Sequence, residues 1–138
     1  MAANIEQVKL AGVTVDIDVL AVDGFASISD DDRYRLKTQG VCAQRKTGVF
    51  MLRIRVPGGR AHADQIRAVA DLSERYGHSS VHVTSRAGLE IHSVEIQNVT
   101  TVFNELAAVG LTTKGTCGDT IRNVISCAHG DARDAGLV

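Results

Sequence analysis

Tryptophan is absent, aromatic residues make up only 4% of the 138, and there is a single proline. So thin an aromatic supply excludes the stacking platforms on which bases and sugars are held. Neither sign of charge dominates, with 15 Lys and Arg against 16 Asp and Glu. Whole-molecule electrostatics therefore argue for neither a nucleic-acid nor a membrane partner, and any functional charge must be a local arrangement. No run approaches the ~20 apolar residues of a membrane span. Met1 to Lys9 has no signal-peptide pattern, so a cytoplasmic protein is expected. Cys42, Cys117 and Cys127 form no CxxC pair, zinc pattern or iron–sulfur spacing. They read as buried or bystander thiols of a reducing compartment, and no metal ligand set is expected.

What is present suits an ordinary globular chain: 44% hydrophobic, 22% charged, and long enough for one core. It divides into an N-terminal extension over 1–28, one domain over 29–127 and a polar tail over 128–138 expected to be flexible. In the extension, Val13, Val15, Ile17 and Val19 alternate with Thr14, Asp16 and Asp18, which predicts a half-buried strand. Ser29, with Asp32 three residues on, predicts the capped start of a short helix. The stretch "KTQGVCAQRKTG" reads as a loop or a short extended arm.

From residue 49 the pattern becomes regular. Strand 49–56 stops at Pro57-Gly58-Gly59, and a helix follows over 62–76 with Ile66, Val69, Ala70 and Tyr76 on its stripe. Strands 80–85 and 89–94 flank a turn at Arg86-Ala87-Gly88, and Val99, Val102, Phe103, Leu106 and Ala107 mark a helix over 98–109. "LTTK" at 111–114 supplies a last short strand, and "GTCGDTIRNVISC" a glycine-rich turn into a short helix capped by Asp119. The order is β-α-β-β-α-β, an α+β ferredoxin-like sandwich with both helices on one sheet face. The helix-facing side is expected to bury Leu52, Ile54, Val81, Val83, Leu89 and Ile91.

The same parity loads the other face. Arg53 and Arg55 project from the first strand, His82 and Thr84 from the second, Glu90 and His92 from the third, with Arg86 at the turn. An unpaired guanidinium is too costly to bury, so this face meets water or an anion. Arg122, expected in the first turn of the last helix, adds a cation where free N–H groups favour anions. Guanidiniums converging from separate segments suit a ligand rich in carboxylates. A solvated sheet face with scattered charges is the plain alternative. His82 and His92 lack an evident third ligand, and Glu90 can neutralise an arginine.

The pieces "RLKTQGVCAQ", "FMLRIRVPGGR", "VHVTSRAGLEIH" and "LAAVGLTTKGTCGDTIRNVISC" stand in order over about residues 33 to 127. On them the chain resembles the ferredoxin-like half domain of siroheme-dependent nitrite and sulfite reductases. The resemblance implies that Arg53 and Arg122 face the substrate anion, nitrite or sulfite, at the siroheme iron. It implies that Arg86, Thr84, His92, Arg55 and Asn123 contact the tetrapyrrole. The complete enzymes also carry a 4Fe-4S cluster, and the cluster cysteines and further anion-site lysines of the family lie beyond the region matched. The resemblance therefore implies a half domain that works with a siroheme- and cluster-bearing remainder and an electron donor. By itself it is expected to be colourless and inactive, and to pair as a homodimer. A non-catalytic module binding a small anionic metabolite or tetrapyrrole is the competing reading. An RNA-binding domain is disfavoured, because the middle strands offer Arg, His, Thr and Glu where bases would stack.

Overall fold

The computed structural model describes residues 5–12 and 14–126. Its elements run α1 (Ile5–Ala11), α2 (Ile17–Asp23), a 3-10 turn at Phe25–Ser27, α3 (Asp30–Thr38), β1 (Val41–Ala43) and β2 (Val49–Ile54). Then follow α4 (Ala63–Tyr76), β3 (Val81–Val83), β4 (Leu89–Glu95) and α5 (Ile96–Ala108). The strands form one antiparallel sheet in the order β1-β2-β4-β3. Alternation in β2 puts Phe50, Leu52 and Ile54 in the core with Ile91 and Val94 of β4. Val69 and Leu72 of α4, and Val99, Val102 and Leu106 of α5, close over them. Burying each such side chain contributes about 1.5–3 kcal/mol, which holds both helices on one face of the sheet.

The outer edge of β2 is shared by two segments. β1 pairs with its first half, and Thr112 bridges Arg55 beyond its end. The expected last strand is thus reduced to one bridge. Gly40 lets the two segments meet: its φ is +84°, and a Cβ there would lie 2.3 Å from the Thr113 carbonyl oxygen.

Four expectations are corrected. The alternating stretch before residue 20 is not a strand: residues 14–16 are irregular and a helix begins at Ile17; Val13 lies outside the described residues. Asp16 caps α2 by accepting from the backbone N–H groups of Asp18 and Val19. Ile17 and Leu20, three apart, are the residues α2 buries, and Val19 is left exposed. Cap and packing outweigh the β-propensity of the valines. α1, with Val8 buried, was not legible as an element.

The segment after Asp119 contains no helix among the described residues. Asp119 caps nothing there; it accepts from the Tyr34 hydroxyl and pairs with Lys9. Finally, Val83 is 76% exposed, because it stands on edge strand β3, and Val81 is only half-buried. On α4 the burial falls on Val69, Leu72 and Ser73, while Ile66 is 46% exposed. The tail over 128–138 and Cys127 lie outside the described residues.

Candidate functional site

β4 carries an irregularity that shapes the open face. Phe50 pairs with Val94 but Leu52 pairs with Ile91, so His92 and Ser93 together oppose Met51. This is a β-bulge, with Ser93 at φ 64°. It returns Val94 to the core and leaves both Glu90 and His92 on the opposite side. The Ser93 N–H, freed from the ladder, donates to Gln44 Oε1 at 2.8 Å.

That bond fixes a chain of partners. With its oxygen taken, Gln44 presents its amide nitrogen to His92 Nδ1 at 2.9 Å, so Nδ1 accepts. His92 Nε2 therefore holds the ring proton and donates to Glu90 Oε2 at 3.2 Å. Glu90 Oε1 accepts from Arg53 Nε at 2.8 Å and lies 2.6 Å from Arg53 Nη2. Burial is the largest single influence and works against the Arg53 charge, but the Glu90 hydrogen bond and the nearby Cys117, Glu90 and Cys42 together outweigh it and hold the guanidinium above its ordinary value.

His82, Glu90 and His92 place possible ligand atoms within 4.8 Å of one another. As placed, these side chains are engaged with one another and with their neighbours. His92 has both ring nitrogens engaged, Glu90 is bound to Arg53, and His82 stacks on His92 with centroids 4.5 Å apart. A cation between His92 Nε2 and Glu90 Oε2 would have to displace the ring proton that joins them.

Beside this network lies a cleft of about 210 Å³. Arg53, Arg86 and Arg122 all line it, with Thr84, Thr116 and Asn123 among its other walls. Arg86 sits on the β3–β4 turn, which Thr84 holds shut: Thr84 N–H donates to the Gly88 carbonyl, and Gly88 N–H to Thr84 Oγ1. Arg122 comes from the irregular segment after α5, not from a helix N-terminus, so the anticipated helix dipole contributes nothing there. It is exposed and hydrogen-bonds to no other described residue. Asn123, buried, donates to the carbonyls of Val56 and Arg86, while the Arg86 guanidinium reaches the Asn123 carbonyl at 3.3 Å. Asn123 Oδ1 has no partner among the described residues. Three guanidiniums converge on the cleft, one of them paired with Glu90, an arrangement chemically suited to an anion.

Two residues named from the sequence stand apart. Arg55 donates to the carbonyls of Gly115 and Ile121, so it anchors the segment carrying Arg122 and is absent from the cleft lining. His92 reaches the cleft only through Glu90 and Arg53. Sequence reading gave Gln44 no role, since only the bulge brings it to His92. It also missed that Cys42 and Cys117 meet, with sulfurs 2.9 Å apart.

The group implied by the resemblance can be tested against these residues. At about 210 Å³ and lined by three arginines, the cleft has the size and charge for a carboxylate or a small oxyanion, not a whole macrocycle, and so matches the anionic fringe of siroheme. A 4Fe-4S cluster does not fit: it takes about four cysteines, whereas the chain has three, two of them in contact.

Comparison with known proteins gives a consistent set. Residues 43–109 match the nitrite/sulfite reductase ferredoxin-like half domain. The chain is 31% identical over 147 residues to the assimilatory ferredoxin-dependent nitrite reductase of Haloferax mediterranei, covering 92% of this chain and 25% of that protein. It is 29% identical over 143 residues to a ferredoxin sulfite reductase of Mycobacterium tuberculosis, covering 87% and 26%. The solved structure of the Mycobacterium tuberculosis NirA protein aligns with a TM-score of 0.84 at 29% identity, over 94% of this chain and 28% of that one. The chain thus spans about a quarter of the length of the curated relatives it matches.

Proposed function

Because the chain belongs to the nitrite and sulfite reductases, as their ferredoxin-like half domain, we propose that its cleft contacts siroheme and the anion reduced there. The observation that carries this reading is the meeting of Arg53, Arg86 and Arg122 from three separate segments around one cleft. Arg86, on the turn clamped by Thr84 and Asn123, is positioned to hold a tetrapyrrole carboxylate. Arg53 and Arg122 hold the substrate, nitrite or sulfite, and offset the charge that builds on its oxygens as they are lost. Glu90 orients Arg53, and His92 with Gln44 orients Glu90. Siroheme, when bound, supplies the redox-active iron at which the anion is reduced. Arginine suits both tasks because it stays charged at any working pH.

The cluster, the electron donor and the remaining anion contacts belong to a partner portion of the reductase, and this chain alone is inactive. The free thiols of Cys42 and Cys117 accord with a reducing, cytoplasmic setting.

In a reductase carrying this half domain, Arg53→Ala and Arg122→Ala are expected to slow anion reduction by ~10²–10³, as for one lost electrostatic donor. Arg86→Ala is expected to lower siroheme retention, read from absorbance after gel filtration. Full turnover and full siroheme content in all three variants would refute the assignment.

A further inference from the structure

Cys42 lies on edge strand β1 and Cys117 in the turn after α5, 75 residues on, yet their sulfurs are 2.9 Å apart. Both positions are held by backbone bonding. Cys42 is in register with Met51 of β2. The turn carrying Cys117 is tied by Gly115 N–H to the Thr38 carbonyl and by the Thr116 hydroxyl to the Arg53 and Thr113 carbonyls. A disulfide needs an S–S length of about 2.05 Å, so the two sulfurs, already in contact, have only to close the remaining gap.

We propose that Cys42 and Cys117 form a redox-active thiol pair that closes to a disulfide when hydrogen peroxide reaches the cleft. The electrostatics assign the roles. A hydrogen bond from Cys42, with Arg53 and Arg122 nearby, pulls the Cys117 thiol well below its usual range despite burial. The same contact, with burial, pushes Cys42 up and keeps its proton on. Cys117 is 5% exposed, but its neighbour Thr116 lines the cleft, which gives a small oxidant its approach.

The Cys117 thiolate attacks one peroxide oxygen; the S–O bond forms, the O–O bond breaks, and the departing hydroxide takes up a proton as water. The Cys42 sulfur then attacks the Cys117 sulfur; the S–S bond forms, the S–O bond breaks, and hydroxide leaves with the Cys42 proton as a second water. Two thiols and one peroxide give one disulfide and two waters. The bridge joins β1 to the segment bearing Arg122 and Asn123, and it removes a negative charge beside Arg53. None of this chemistry depends on siroheme.

The test is a peptide mass map of the chain after peroxide treatment and alkylation under denaturing conditions. The Cys42 and Cys117 peptides should appear joined, two hydrogens lighter than their sum, with Cys127 alkylated and the link released by dithiothreitol. In Cys42→Ser, Cys117 should be captured by dimedone as the sulfenic acid. The unsubstituted chain decides the matter even if that variant folds poorly. Alkylation of all three cysteines after treatment, or a bridge that includes Cys127, overturns the proposal.

Discussion

Arg53 stands where a carboxylate and an open cleft compete for one guanidinium. Glu90 engages two of its nitrogens, and a guanidinium has five N–H donors, so donors remain for a ligand. The side chains are 28% and 13% exposed, which places the pair between surface and interior. Exposed pairs are worth up to ~1 kcal/mol, and a broken buried pair costs ~3–5. Glu90→Ala is therefore expected to destabilise the chain by about 1–3 kcal/mol in urea unfolding. It also removes the acceptor of His92, so Arg53→Ala and Glu90→Ala together should cost less than their sum. Strict additivity would show that the two side chains are not coupled.

Among the elements, α3 shows how a cap links stability to pH. Ser29 Oγ accepts from the Asp32 N–H at 3.1 Å, and its hydroxyl donates to Asp32 Oδ2 at 2.6 Å. That hydroxyl bond, aided by Arg35 and opposed by burial, holds the Asp32 carboxyl below its ordinary value. A carboxyl lowered in the folded state adds stability above its unfolded value of about 3.9, and this is lost as pH falls through the folded value. Ser29→Ala is expected to cost about 1 kcal/mol at neutral pH. The gap between the two proteins should narrow as pH drops below about 4. A gap independent of pH in acid unfolding curves would separate the cap from the carboxyl.

At the scale of the molecule, β3 is an edge strand with no further strand beside it among the described residues. Val83, 76% exposed, and Ile66, 46% exposed, share an apolar groove with Val56, Ala61 and Leu89 beside that edge. Unpaired edges find partners, and identical chains satisfy them most simply through two-fold symmetry. The isolated chain is expected to be a homodimer through this surface. Light scattering across a concentration series checks it, and Val83→Lys should shift the population to monomer. A monomer throughout would refute the dimer.

Much of this architecture is written locally. Alternation at Phe50, Leu52 and Ile54, and the stripe from Val99 to Leu106, repeat at the period of one element. They therefore placed β2, β4 and α5, and with them the side of the sheet on which Arg53 stands. The motifs around Arg53, Arg86 and Arg122 also carried the family. Elsewhere local pattern was ambiguous: the valines before residue 20 suit a strand until Asp16 caps a helix and Leu20 finds the core. Three features had no local signal. The bulge at Ser93 exists because Gln44 satisfies the freed N–H from another segment. Arg122 reaches the cleft because Arg55 and Asn123 bind an irregular chain, with no helix to aim it. Cys42 meets Cys117 because β1 and the turn after α5 share one edge of β2. Periodicity records which face a residue takes within its own element; only long-range contacts decide which faces meet.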